Sequence, residues 1–85
     1  MSSYLIAYDV AEDKNRAAIM RRLEKAGRRV QKSVFLVERA NIEHLERELQ
    51  KMLAESDSLL VIPLCGHCFA NARFYGKLPP LLIFT

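Results

Sequence analysis

The fold begins with Tyr-Leu-Ile-Ala-Tyr-Asp at residues 4–9, an apolar run that ends in a carboxylate. Polar residues 12–15 follow it, so the run is bounded and has the length of a buried β-strand. Asp9 therefore stands at the mouth of a predicted strand. An aspartate oxygen there is a hard ligand of the kind that Mg²⁺ or Mn²⁺ prefers.

A helix is predicted directly after this strand. Asp13 is suited to be its N-cap, and the spacing of Ile19, Leu23 and Ala26 predicts one apolar stripe along it. Gly27 is expected to end the helix at the C′ position. The cations of this segment then lie on the solvent side or just past the helix end.

The rest of the chain alternates between strand and helix patterns. Residues 30–37 have strand composition, as one long strand or as two short strands bent near Lys32; the sequence leaves both open. Asn41 is predicted to cap a second helix, whose Glu-rich outer face is interpreted as solvated surface. Residues 58–64 form a third apolar run, and Pro63 within it indicates a strand terminus or an edge strand.

The element order β-α-β-β-α-β predicts an α+β fold, a ferredoxin-like split βαβ, as a single domain over residues 1–85. A further strand is expected at residues 79–85, after two prolines. The ferredoxin-like fold does not require this strand, and if it stayed unpaired its apolar edge would promote aggregation. If this strand paired with the sheet of a second copy, its edge would no longer be exposed, so the sequence predicts a homodimer.

The amino-acid composition and the lengths of the apolar runs exclude several classes of protein. At 51% hydrophobic residues the chain has ample core material, which excludes disorder. No apolar run approaches the ~20 residues of a membrane span, and residues 1–4 lack the basic start of a secretory signal. We therefore expect a cytoplasmic protein with no membrane contact.

The positive charge is concentrated in one segment. Residues 14–32 carry eight Lys/Arg against one acid, Glu24, whereas the whole chain has a net charge of only +3. Such a cluster is typical of a site for a polyanion, and a metabolite sensor has no use for it. The candidate nucleic-acid-binding residues are Lys14, Arg16, Arg21, Arg22, Lys25, Arg28, Arg29 and Lys32.

Four features of the chain coincide with a known pattern. They are Tyr8-Asp9 after the first apolar run, Arg16 in the first helical turn, the segment GRRVQKSVF at residues 27–35, and IPLC at residues 62–65. Together they closely resemble the small CRISPR-associated endonuclease family, the subunit that partners the CRISPR integrase. The resemblance covers essentially the whole chain.

The resemblance implies a homodimer that acts in the acquisition of new spacers, held to an integrase subunit and to the nucleic-acid backbone. It also implies a Mg²⁺-dependent endonuclease, with Mn²⁺ as a possible substitute, acting on single-stranded RNA or double-stranded DNA. By the family pattern Asp9 is the metal ligand, and Ser33 belongs to the architecture of the site. The implied catalytic residues are Asp9, Tyr8, Arg16, Arg29 and Phe35.

Two alternatives share the same fold. One is a non-catalytic DNA-binding scaffold that bridges integrase dimers, and the other is a related toxin-type ribonuclease. Some family members carry a second arginine where this chain has Ala18, and an aromatic residue where it has Lys32; both differences bear on catalysis more than on fold.

The chain also contains Cys65-Gly66-His67-Cys68, which has the spacing of a redox motif or of half a zinc site. A zinc ion needs four ligands, and the element order provides no thioredoxin-like helix start for the first cysteine. We therefore expect Cys65 and Cys68 to be thiols of a loop.

Overall fold

The computed structural model describes residues 2–73 and 75–76. Within them lie four strands and three helices: β1 (Ser2–Asp9), α1 (Asp13–Ala26), β2 (Gly27–Gln31), β3 (Val34–Arg39), α2 (Glu43–Gln50), β4 (Ser58–Leu64) and α3 (Gly66–Ala70). The C-terminal strand predicted at residues 79–85 falls outside the described residues.

The four strands form one antiparallel sheet in the order β2-β3-β1-β4. This is the ferredoxin-like arrangement that the element order predicts. The question left open by the sequence is settled: the segment around Lys32 is a turn, and β2 and β3 are separate strands with a register shift between Arg29 and Gln31. Strand β4 lies at an edge, which accommodates Pro63 because an edge strand can lack one backbone donor.

The hydrophobic core lies between one face of the sheet and the two longer helices. Alternation along the strands turns Ile6, Phe35 and Val37 toward this core. The predicted stripe of α1 is confirmed, and α2 buries an apolar face of its own. The fully buried helix residues are Ile19, Leu23, Leu45 and Leu49.

The other face of the sheet carries a second apolar surface. Leu60 and Ile62 of β4 are 56% and 38% exposed. Strand pairing continues this stripe through β1 to β3, because Leu60 is opposite Ala7 and Ala7 is opposite Val34. We call this surface the open face; its apolar members are Leu5, Ala7, Val34, Leu36, Leu60 and Ile62.

Two helix-end predictions need correction. Asp13 is not the N-cap of α1: Glu12 holds that position without a side-chain cap, and Asp13 is the first helical residue. Gly27 follows the end of α1 as predicted, but its φ of −162° is extended rather than left-handed. Glycine is required there because a Cβ would overlap the carbonyl oxygen of Leu36.

The start of α2 follows the prediction more closely. Ile42 holds the N-cap position of α2, so Asn41 lies one residue earlier than predicted, but its side-chain oxygen still accepts a hydrogen bond of 2.8 Å from the backbone N–H of Glu43. This bond satisfies one of the donors that an open helix start leaves without a partner.

Among the described helices, none has both the length and the apolar character that crossing a membrane requires.

Candidate nucleic-acid and metal site

Asp9 is the last residue of β1 and pairs in register with Ser58 of β4. Its side chain is exposed, and alternation places it on the same side of the sheet as Leu5 and Ala7. The predicted metal ligand therefore belongs to the open face. It lies at the margin of an apolar surface, accessible to a ligand or to a second protein chain.

The neighbouring carboxylates have structural tasks. Asp57 accepts hydrogen bonds from the backbone N–H of Ala11 at 3.1 Å and of Ala54 at 2.8 Å, so it ties the β1–α1 loop to the segment before β4. Asp13 pairs with Arg16. The sequence did not identify Asp57; its position in the turn just before a strand was the available signal.

The donor set fits a hydrated Mg²⁺ ion but not a closed metal cage. Asp9 supplies one hard oxygen, and Mg²⁺ commonly combines one or two carboxylates with water and substrate phosphate. In residues 2–73 and 75–76, no three His, Cys, Asp or Glu side chains group together as a metal site.

Tyr8 and Phe35 lie on the opposite side of the sheet from Asp9. Tyr8 is 6% exposed, Phe35 is fully buried, and their rings stack with centroids 6.4 Å apart and planes inclined by 23°. Burial raises the pKa of Tyr8, while Arg29 and a hydrogen bond with Ser33 act in the lowering direction. Both aromatic rings contribute to the core, and Phe35 has no surface on which a base could stack.

Arg16 organises the loop between β1 and α1. Its guanidinium donates hydrogen bonds to the carbonyl oxygens of Val10 at 3.1 Å and Ala11 at 3.3 Å, and pairs with Asp13. These bonds hold the chain just after Asp9. The Arg16 side chain is still 43% exposed, so a phosphate could reach it.

Arg29 folds onto the turn between β2 and β3. Its Nη2 and Nε donate to the carbonyl oxygen of Lys32 at 2.8 and 3.2 Å. Arg29 and Arg16 both act electrostatically on Tyr8. The structure thus gathers Tyr8, Arg16, Arg29 and Ser33 at one end of the sheet, with Asp9 adjacent in sequence but facing the other side.

Arg22 does not point to solvent as the sequence predicted. It makes a two-bond pair with Glu48 of α2, with Nε–Oε2 at 2.8 Å and Nη2–Oε1 at 3.0 Å. The hydrogen bond from Arg22 lowers the pKa of Glu48. The face of α2 interpreted as solvated surface is therefore partly a contact with α1, and Arg22 is committed to joining the two helices.

Other predicted phosphate-binding cations remain accessible. In the part of the chain that the structure describes, Lys14, Arg21, Lys25 and Lys32 are exposed and form no side-chain hydrogen bond or ion pair with another residue. Arg28 is also exposed, on β2. A shallow depression of about 430 Å³ on α1 is lined by Ala18, Arg21, Arg22, Glu24 and Lys25.

The two cysteines do not lie in a simple loop. Cys65 directly precedes the short helix α3, and Cys68 lies within it. Both are free and exposed. The expectation that no helix would begin beside Cys65 is wrong, because residues 66–70 continue from β4 as one helical turn.

The fold and site define a small ferredoxin-like protein with an exposed carboxylate on an apolar sheet face and a cationic helix surface. Its sequence matches the family described as CRISPR associated protein Cas2 over residues 1–72. The chain belongs to this family, which confirms the resemblance drawn from its motifs.

Individual relatives agree with this assignment. The chain is 38% identical over 84 residues to CRISPR-associated endoribonuclease Cas2 3 of Synechocystis sp., covering 95% of this chain and 90% of the relative. It is 35% identical over 81 residues to CRISPR-associated endoribonuclease Cas2 1 of Chloroflexus aurantiacus, covering 91% and 87%.

Solved structures share the fold. A hypothetical protein from Thermus thermophilus superposes with a TM-score of 0.80 and 30% identity, covering 92% of this chain and 94% of that one. A chain of a partial Cas6-RT-Cas1–Cas2 complex superposes with a TM-score of 0.79 and 30% identity, covering 98% and 100%.

Proposed function

We propose that this protein acts in CRISPR spacer acquisition as a homodimer that binds the nucleic-acid backbone, contacts an integrase subunit and has metal-dependent endonuclease activity centred on Asp9. The observation that carries the proposal is the exposed Asp9 at the end of β1, on the open face. A carboxylate there is positioned for a ligand rather than for the core.

Self-association is supported by the open face. Leu60 and Ile62 leave large apolar side chains in water, and a two-fold contact would cover them with the same surface of another copy. The apolar stripe ends at Asp9, so such a contact brings one Asp9 from each copy toward the interface. The dimer would then place two carboxylates, one from each copy, near the metal.

The metal would be held by Asp9. When bound, Mg²⁺ polarises a phosphodiester oxygen and lowers the pKa of a coordinated water. The residues of the chain have separate tasks. Asp9 provides negative charge at the open face, and Arg16 fixes the loop that follows it through the carbonyl oxygens of Val10 and Ala11.

Nucleic-acid binding is assigned to the accessible cations. Phosphate contacts position a protein on nucleic acid without reading sequence, and exposed lysine or arginine side chains supply them. Lys14, Arg21 and Lys25 present such groups on α1, and Lys32 presents one on the β2–β3 turn. Arg22 is removed from this set by its pair with Glu48.

The integrase partner is supported by structural similarity. A chain that superposes over nearly the whole length of this one occurs in a Cas6-RT-Cas1–Cas2 complex. The curated relatives are called endoribonucleases, which supports RNA as one substrate of the proposed cleavage.

A non-catalytic scaffold is the second candidate, and a specific observation favours it. Of the five residues that the family pattern implies for catalysis, Tyr8 and Phe35 are buried, while Arg16 and Arg29 bind nearby backbone carbonyls. Asp9 alone would then supply the chemistry of each copy. A scaffold needs the open face and the cations but not this carboxylate. The toxin-type ribonuclease has no observation of its own in its favour.

The deciding experiment replaces Asp9 by asparagine, which keeps the size of the side chain and removes its charge. The matched control is Glu38→Gln, which removes an exposed carboxylate from β3 on the same side of the sheet. Both variants are compared with the native protein for RNA and DNA cleavage over a range of Mg²⁺ and Mn²⁺ concentrations, and for spacer acquisition in cells.

We expect Asp9→Asn to lose metal-dependent cleavage while Glu38→Gln keeps it, with dimerisation unchanged in both. Equal cleavage by Asp9→Asn and the native protein would contradict a role for this carboxylate. We further expect Asp9→Asn to retain spacer acquisition, because nucleic-acid binding depends on the exposed lysine and arginine side chains and not on this carboxylate. Loss of acquisition together with cleavage would instead tie the chemistry to the biological role.

A further inference from the structure

We infer that Cys65 and Cys68 form a dithiol that exchanges with low-molecular-weight disulfides, such as oxidised glutathione, and closes to an intramolecular disulfide. The pair lies after β4, and neither thiol has a task in the proposed nuclease or scaffold function. The inference therefore stands independently of that function.

The backbone already holds the two cysteines at a suitable separation. The N–H of Phe69 donates to the carbonyl oxygen of Cys65 at 3.0 Å, so residues 65–69 close one helical turn. In a helix, the Cα atoms of residues three apart are separated by about 5 Å. A disulfide forms without backbone movement over roughly 4.4–6.8 Å between Cα atoms. Cys65 is the N-cap of α3, and its Sγ lies 3.3 Å from the backbone nitrogen of Cys68, so the two residues are in direct contact.

The contacts between the two residues make their thiols unequal. The backbone N–H of Cys68 donates to Sγ of Cys65 at 3.3 Å. Hydrogen bonding by Cys68 favours the thiolate and lowers the pKa of Cys65, while the neighbouring Cys65 side chain raises the pKa of Cys68. Cys65 is therefore the attacking thiol and Cys68 the resolving one.

The exchange proceeds in two balanced steps. The Cys65 thiolate attacks one sulfur of glutathione disulfide, the S–S bond breaks, and one glutathione leaves as a thiolate. Cys68 then loses its proton and attacks Sγ of Cys65, which releases the second glutathione. Two cysteine thiols are oxidised to one disulfide, one glutathione disulfide is reduced to two thiols, and the two cysteine protons end on the departing glutathiones.

Exposure and donor count favour exchange over metal binding. Both thiols are exposed, so a small disulfide can reach them, and exposed disulfides are the labile ones. A structural zinc site needs four ligands. The described residues place no third His, Cys, Asp or Glu in a group with this pair, and the ring of the intervening His67 lies 3.4 Å from the side-chain amide of Asn71.

The test uses the full-length reduced protein, incubated at neutral pH in glutathione buffers of increasing oxidised fraction. Intact mass and free thiols are measured after acid quenching. We expect the native protein to lose both thiols together, with a mass decrease of two hydrogens and no stable glutathione adduct. Cys68→Ser should instead accumulate one glutathione adduct on Cys65, because the resolving thiol is missing.

Cys65→Ser is the matched control, since it leaves Cys68 as the single thiol on the same turn. Its adduct should form several-fold more slowly at neutral pH, because the variant lacks the Cys65 thiolate that the backbone N–H of Cys68 stabilises. Two stable glutathione adducts on the native protein, or disulfides only between chains, would overturn the inference. So would protection of both native thiols by equimolar Zn²⁺ in the absence of oxidant, which would assign the pair to a metal. Circular dichroism of both variants checks that the fold is retained.

Discussion

Two consecutive residues of β1 lie on opposite faces of the sheet and differ sharply in their exposure to solvent. Tyr8 points into the core and is 6% exposed, whereas the next residue, Asp9, is exposed on the other face. We call the face that packs against α1 and α2 the covered face. It holds the fully buried Phe35, whereas Leu60 on the open face is 56% exposed. Alternation in a strand thus lets one short segment specify the fold with one set of residues and present a site with the other.

The largest expected effect is on the covered face. Phe35→Ala should lower the free energy of unfolding by about 3–5 kcal/mol, because it removes a fully buried ring from the core. Urea unfolding followed by circular dichroism measures this loss. Phe35→Leu, which keeps most of the volume, should cost less than about 1.5 kcal/mol and remain folded. Equal stability of Phe35→Ala and the native protein would show that the ring is outside the core.

On the open face, exposed apolar side chains should stabilise self-association of the protein. Leu60→Asp should weaken self-association by about 100-fold, or roughly 2.7 kcal/mol, because burying an unpaired charge in an apolar contact is costly. Sedimentation velocity across a concentration series measures it. Gln50→Asp adds the same charge to an exposed position of α2 and should leave the dimer intact. If Leu60→Asp associates as tightly as the native protein, the contact surface lies elsewhere.

The helices that cover the core present the cations outward. Replacing Arg21 and Lys25 together by alanine should flatten the slope of log affinity against log salt by about 1.8 for duplex DNA, if each contacts one phosphate. Fluorescence anisotropy at several salt concentrations gives the slope. Arg47→Ala with Lys51→Ala removes one cation from α2 and one just past its end, and is the control. An unchanged slope in the first variant would exclude this part of α1 as the phosphate-binding surface.

The smallest expected effect concerns the pair between the helices. The hydrogen bond from Arg22 is the main cause of the lowered pKa of Glu48, with Arg39 and His44 also contributing positive charge. A lowered pKa stabilises the fold above the ordinary value of 4.5, and this stabilisation is lost as the pH falls through the folded-state pKa.

Unfolding measured from neutral pH down to acid should therefore show the native protein more stable than Glu48→Gln, with the difference shrinking below pH 4.5. Glu43→Gln is the control, because Glu43 pairs with Arg47 at 3.5 Å on an exposed surface. A difference that persists at acid pH would mean that the Glu48 contribution does not depend on its charge.

Much of the fold followed from local patterns. The apolar spacing of residues 4–9 and of α1 and α2 defines which faces are buried, so the ferredoxin-like plan was accessible from the sequence. Helix ends were less accessible, because they depend on contacts across the chain. Gly27 shows this: its position after the helix was predicted, but the reason lies in β3 and not in the helix end.

The candidate site was predictable in part. Asp9 was identified from its place at the end of a strand, and its exposure follows from alternation. The pairing of Arg22 with Glu48 was not predictable, because the two residues are 26 positions apart and a basic segment gives no sign of which cation turns inward. The helix beside Cys65 was missed because its sequence contains a glycine and no apolar stripe.

The close approach of Gly27 to the Leu36 carbonyl has a consequence for mutational surveys of this protein. In a library covering every single substitution, position 27 should tolerate almost nothing, although the glycine is only half-buried and carries no functional group. A depletion score would rank it beside a chemically essential residue. The intolerance would report the spacing of two backbones, so activity and abundance must be scored separately before any position in residues 27–35 is assigned to catalysis.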